Sequence, residues 1–143
     1  MPLYFAYGRL MDPEEMAKRS ARAKAIGPAM LEGFKFIVTK EGAPSVLKAV
    51  GCVTHGVLWD LPISGVAAVD GSEALFRRAQ DKVLLNIRSG TTSRKALVYI
   101  SCNRQKGSPN PKGFGGICEA AKHWELPELY QEELAGWAKR LPA

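Results

Sequence analysis

Glu73 is the side chain best placed by its neighbours to act as a base. It lies in an irregular stretch between two strand-like segments, among Val69, Ala74, Leu75 and Phe76. A carboxylate in apolar surroundings holds its proton more tightly than usual, which suits proton transfer near neutral pH. Taken alone, an exposed loop acid is the simpler reading. Cys118 and His123 are the other pair with chemical potential. Five residues apart on a helix, they diverge by roughly 140° around its axis, so no thiol–imidazole dyad is expected. Cys52, Cys102 and Cys118 are an odd set without a CxxC pair, and with His55 and His123 they match no metal-ligand spacing. They read as buried thiols and two unrelated histidines, with no metal site and no disulfide framework. A reducing, cytoplasmic setting follows as the default. The chain has no P-loop, GxGxxG, GxSxG or HExxH motif.

The chain has 143 residues, 46% hydrophobic, 24% charged and 8% aromatic. These values fit one globular domain spanning residues 1–143 and exclude disordered or collagen-like chains. No apolar run approaches the roughly 20 residues that span a bilayer, and the opening MPLYFAYG lacks the basic n-region of a secretory signal. Twenty basic against fourteen acidic side chains give a net charge of +6, which favours anionic partners in general. The only dense basic group is Lys18, Arg19, Arg22 and Lys24, read as a solvated face, with a binding patch as the alternative. No aromatic-interleaved basic stripe points to nucleic acid.

Leu3 to Tyr7 is a short apolar strand broken by Gly8. Asp12-Pro13-Glu14-Glu15 starts a short helix, with Asp at the cap, Pro first and acids in the opening turn. Met30 to Thr39, Val50 to Leu61, Arg78 to Arg88 and Lys95 to Cys102 read as strands, the last two joined through Ser89-Gly90-Thr91-Thr92. Lys40 to Pro44 reads as a loop, and Ser64 to Phe76 as one or two helical turns. Asn103 to Gly116, with four glycines and two prolines, reads as a long exposed loop. Ile117, Ala120, Ala121 and Trp124 share one helical face. Pro127 starts a final helix whose core stripe is Tyr130, Leu134, Trp137 and Leu141. Strands first and helices last predict an α+β fold: a small mixed, mostly antiparallel β-barrel with peripheral helices.

The residues also carry a resemblance. Tyr4-Phe5-Ala6-Tyr7-Gly8-Arg9-Leu10-Met11 resembles the YFAYGSNM signature of the γ-glutamylcyclotransferase-like superfamily. Ile26 to Phe34 is similar to its GPARLEGY strand entry, His55 to Leu61 to WGVLWDL, and Val69 to Glu73 to LDxxEG. Leu75 to Arg78 is similar to LYRR, Ala96 to Tyr99 to A-x-V-Y, and Leu126 to Tyr130 to GLPxxY, with Ser108-Pro109 opening a product-side loop. The pieces run in the family's order over nearly the whole chain. The resemblance implies a small mixed barrel and an intramolecular reaction. The α-amine of a γ-glutamyl group attacks its own γ-carbonyl, releasing 5-oxoproline and a free amine or amino acid. It implies Glu73 as the base and Tyr7, Gly8, Arg9 and Leu10 as the substrate-cradling turn, with no cofactor. The expected partner is a small γ-glutamyl compound, neither nucleic acid nor membrane. Arg9 and Leu10 stand in place of the family's Ser and Asn, Ala74 in place of its Gly, and His55 where an aromatic is common. Arg9 can turn inward to pair with a substrate carboxylate or lie in solvent. A non-catalytic binding module on the same barrel, or a charge-driven binder using Lys18 to Lys24, are the rival readings.

Overall fold

The structure, a computed structural model, describes residues 2–39, 44–74, 80–101, 107 and 114–138, with the backbone alone described at 70–74, 80, 81 and 101. Five strands are described: β1 (Leu3–Ala6), β2 (Lys24–Val38), β3 (Pro44–Asp60), β4 (Gln80–Ser89) and β5 (Thr92–Ser101). They close into a barrel in the order β1-β3-β2-β4-β5. All pairings are antiparallel except β1 with β5, which is parallel. The barrel is therefore mixed and mostly antiparallel, as the pattern of apolar runs predicts.

β2 and β3 are longer than the apolar alternation suggests, because glycines bend them without ending them. Their ladder runs from Lys24↔Asp60 to Val38↔Pro44, with irregularities after Ala25 and after Glu32. At the second, Glu32 pairs with Val53 but Phe34 pairs with Lys48, so residues 49–52 of β3 stand opposite Gly33 alone. Gly33 and Gly51 both take φ 83°, a left-handed conformation that side chains resist. The bulge sharpens the bend that lets a long ribbon curl into a small barrel. Buried Thr54 stitches the bend, its hydroxyl donating to the Phe34 carbonyl at 3.0 Å. Pro44, expected in a loop, is the first residue of β3, a strand position where its missing N–H is tolerated. The β4–β5 hairpin turns through Gly90-Thr91, with Gly90 at φ 61°.

Four α-helices are described around the barrel. α1 (Pro13–Arg19) starts as its sequence predicts, the Asp12 carboxylate accepting from the Glu14 N–H at 3.0 Å. α2 (Ile63–Ala74) has twelve residues, where one or two turns were expected. Its apolar and small residues follow no helical stripe, so periodicity cannot mark its length. α3 (Phe114–His123) begins inside the stretch read as a loop, because a buried Phe114 anchors its first turn despite Gly115 and Gly116. α4 (Glu128–Ala138) buries Tyr130, Leu134 and Trp137. Leu141, Lys139 and Arg140 lie outside the described residues, as do Cys102 and Ser108-Pro109. Phe36 on β2 is the hub beneath the helices. The rings of Tyr7, Phe114, Tyr130 and Trp137 stand 6.4, 6.3, 6.5 and 6.4 Å from it.

The α3–α4 corner is a Schellman turn. The Leu126 N–H donates to the Ala121 carbonyl and the Glu125 N–H to Lys122, both at 3.0 Å. Glu125 sits at φ 54°, the one non-glycine residue with positive φ among those described. Glu125→Gly should therefore stabilise the fold by about 1 kcal/mol, the usual cost of a side chain in that conformation. Urea unfolding measures it, and a variant less stable than wild type would contradict the argument.

Candidate active site

The first strand delivers the chain into a tight backbone turn. β1 ends at Ala6, and the buried Tyr7 that follows donates its hydroxyl proton to the Tyr99 carbonyl on β5. That bond matters to closure, since β1 and β5 share one registered pair, Tyr4↔Leu97. Gly8, at φ −120° and ψ −140°, leads into a 3-10 turn over Arg9–Met11. The Met11 N–H donates to the Gly8 carbonyl and the Asp12 N–H to the Arg9 carbonyl, both at 3.1 Å. The amide groups of Arg9 and Leu10 lie ahead of the first of these bonds, where helical turns leave donors available. Leu10 and Met11 bury their side chains, so the core holds the turn together with its backbone bonds.

The four residues expected as the cradle thus share one turn, but their side chains differ in role. Leu10 faces the core. Arg9 takes the outward of its two orientations: its side chain is 51% exposed, with Nε 4.0 Å from Glu15 Oε2. Glu15 also meets Lys18 at 3.3 Å and Arg19 at 3.0 Å. Burial alone would raise the Glu15 carboxyl. The Lys18 hydrogen bond and the charges of Lys18, Arg9 and Arg19 outweigh it and hold Glu15 below its ordinary value. A Cβ on Gly8 would sit 3.2 Å from Pro44 Cγ, a tight contact, so the entrance to β3 crowds the turn. The Gly8 φ is not left-handed.

Glu73 falls in the last turn of α2, and its side chain lies outside the described residues, as do residues 75–79. α2 begins against the end of α1: a Cβ on Gly65 would lie 2.6 Å from Ser20 Oγ. α1 in turn follows directly from the turn that holds Arg9 and Leu10. Among the described residues no cluster of three or more His, Cys, Asp or Glu could hold a metal, and no helix is long and apolar enough to cross a membrane.

Beside the turn, Tyr130 on α4 stands edge-on to His55 on β3, with ring centroids 4.8 Å apart. Its hydroxyl is buried and turned toward the His55 backbone, which favours its ionised form slightly. Burial first, and then the Glu133 charge, push the Tyr130 hydroxyl far up. Burial also holds the His55 imidazole below its ordinary value of 6.5. The folded state thus binds that proton less readily than the unfolded chain does. The resulting stability is complete above about pH 6.5 and declines as pH falls through that value toward the folded one. Glu133, raised by burial, titrates in the opposite sense. A comparison with His55→Phe separates the two. Wild type should lose more stability between pH 7.5 and pH 5 than this variant, and parallel losses in urea unfolding would contradict the assignment.

Tyr99, Pro44 and Trp124 contribute to this region without having been singled out for it. Trp124 reads from sequence as a core-facing helix residue, yet its indole N–H donates to the Met11 carbonyl at 2.7 Å. Nothing in its spacing marks that bond, which joins residues 113 positions apart.

A closed mixed barrel whose first strand runs into a glycine-entered 3-10 turn defines a structural class. The family described as γ-glutamyl cyclotransferase, AIG2-like, matches residues 4–124, and the chain belongs to it. The chain is 27% identical to a γ-glutamylcyclotransferase of Mus musculus and 26% identical to one of Homo sapiens, in each case over 92% of this chain and 76% of the relative. A solved structure titled γ-glutamyl cyclotransferase superposes with a TM-score of 0.84 at 23% identity, covering 94% of this chain and 86% of that one, which shows the shared fold.

Proposed function

We propose that this chain is a γ-glutamylcyclotransferase-type enzyme acting on a small γ-glutamyl amide. The observation that carries the reading is the Tyr7–Met11 turn, with the amides of Arg9 and Leu10 ahead of its first hydrogen bond, in a chain of this family. The α-ammonium of the γ-glutamyl group first gives a proton to the Glu73 carboxylate. The freed amine attacks the γ-carbonyl carbon, and negative charge develops on the carbonyl oxygen. Fixed N–H donors of the turn stabilise that charge without reorganising. The C–N bond to the leaving group then breaks as its nitrogen takes the proton from Glu73, and the second proton, shed by the attacking nitrogen as it becomes the ring amide, leaves on the product amine as its ammonium. The products are 5-oxoproline and a free amine or amino acid. Ring closure is unimolecular, so holding the glutamyl chain curled supplies much of the rate, and the chemistry requires no cofactor. With its thiols free at Cys52 and Cys118, the protein fits the reducing cytoplasm.

Arg9 and Glu15 occupy the outer side of the turn, which supports recognition of the glutamyl moiety by backbone donors rather than by a guanidinium. The test is a turnover screen of γ-glutamyl amino acids and γ-glutamylamines, read as 5-oxoproline release. Release from at least one member supports the reading. Saturable binding without release would make the chain a binding module. Binding that ignores glutamyl compounds and vanishes with salt would favour a charge-driven binder.

A further inference from the structure

We propose that Trp124 is a positioning residue for the substrate turn, acting through its indole N–H on the Met11 carbonyl. The turn from Gly8 to Met11 has three internal or flanking backbone constraints: Met11 N–H on Gly8, Asp12 N–H on Arg9, and the Asp12 cap of α1. None of them uses the Met11 carbonyl. The first described backbone bond of α1 is accepted one residue later, by Asp12, from Met16 at 2.9 Å. The Met11 carbonyl, at the end of the 3-10 turn, therefore accepts none of these bonds. The indole takes it up at 2.7 Å, short for an N–H···O bond.

The donor is itself held rigidly. Trp124 follows α3, with its ring edge-on to Trp59 on β3 at 6.2 Å and to His123 at 5.3 Å. Its backbone N–H bonds Ala120 at 3.0 Å, just ahead of the Schellman turn. Indole nitrogen can only donate, so a correctly placed carbonyl is its natural partner. At the other end of the turn the Tyr7 hydroxyl bonds the Tyr99 carbonyl on β5. The turn is thus gripped at entry and exit by side-chain bonds to main-chain carbonyls, one reaching the adjacent strand β5 across the barrel seam and one coming from the end of α3. Trp124 sets where the exit lies, and so where the Arg9 and Leu10 amides point. The catalytic part of this inference rests on the cyclotransferase reading. The mechanical part does not.

Trp124→Phe tests both parts, since it keeps a ring against Trp59 and removes the N–H. Amide hydrogen exchange is read at Met11 and Asp12, whose N–H groups close the turn. Both should exchange about five- to tenfold faster, the loss expected from one neutral hydrogen bond, while the β2–β3 ladder keeps its wild-type rates. On the best γ-glutamyl amide, KM should rise several-fold with a smaller change in kcat, the signature of lost substrate positioning. Wild-type exchange at Met11 and Asp12 overturns the inference. So does faster exchange with unchanged KM, which would make Trp124 merely structural. If wild-type protein releases no 5-oxoproline from any γ-glutamyl amide, the cyclotransferase reading fails, and the exchange rates still decide whether Trp124 holds the turn. Should Trp124→Phe not fold, the wild-type indole N–H serves instead. It should be strongly protected from exchange, and an unprotected Trp124 indole overturns the inference.

Discussion

Glu73→Gln should lower kcat for a γ-glutamyl amide by a factor on the order of 10² or more, with little change in melting temperature. The amide matches the carboxylate in shape, so whatever space the side chain occupies stays filled. What disappears is the ability to take a proton. A substrate α-amine is mostly protonated at neutral pH, and an ammonium has no lone pair with which to attack. Proton removal and proton return to the leaving nitrogen are two halves of one group's work, so losing that group touches the barrier rather than ground-state binding. kcat and kcat/KM should therefore fall together, with KM nearly unchanged. Glu73→Asp keeps the base but retracts it by one methylene, and should fall between wild type and the glutamine variant. Near-wild-type turnover in Glu73→Gln would move the base to another residue. A large drop in melting temperature would instead recast Glu73, in the last turn of α2, as a structural acid.

Much of the barrel is legible in the sequence because local chemistry and global fold agree there. Asp12-Pro13-Glu14 starts α1, Ser89 to Thr92 turns the β4–β5 hairpin, and Tyr130, Leu134 and Trp137 line the buried face of α4. Local signals fail in two kinds of place. The first is where glycine or proline bends an element without ending it. β3 continues through Gly51 and begins at Pro44, and α3 begins through Gly115-Gly116. The second is where closure joins residues far apart in the chain. Tyr7 meets Tyr99 across 92 positions, and Trp124 meets Met11 across 113. No periodicity encodes such pairs. The candidate site divides along the same line. Tyr7 to Leu10 are contiguous, so the motif finds the turn. The orientation of Arg9 depends on where Glu15 presents its carboxylate, and that is a property of α1 once folded.

Gly56→Ala should be the most damaging alanine substitution among the described glycines. Gly56 lies on β3 beside Val57, which pairs with Ala6 of β1. A Cβ at Gly56 would run into the Ala6 carbonyl oxygen and lie 2.9 Å from Phe5 Cζ and 3.0 Å from Cε1. Phe5 is wholly buried, so its ring has no free volume to rotate into. The carbonyl belongs to the backbone of β1 and moves only with the strand. Relief requires β1 to lift from β3, which breaks the register from Leu3↔Asp60 to Ala6↔Val57. Overpacking alone costs roughly 1–3 kcal/mol and occasionally more. With strand pairing added, a loss above about 3 kcal/mol is expected, a large share of the 5–15 kcal/mol typical of a domain. Gly51→Ala is the comparison that isolates the cause. Gly51 has open space around its missing Cβ but sits at φ 83°, so only backbone strain of about 1–2 kcal/mol is expected there. Urea unfolding should rank Gly56→Ala well below Gly51→Ala. Any folded fraction of Gly56→Ala should also bind γ-glutamyl amides poorly, because β1 runs directly into Tyr7 and Gly8, and lifting the strand carries the turn with it. Equal unfolding midpoints for Gly56→Ala and wild type would mean that β1 does not pack against β3 as closely as its register requires.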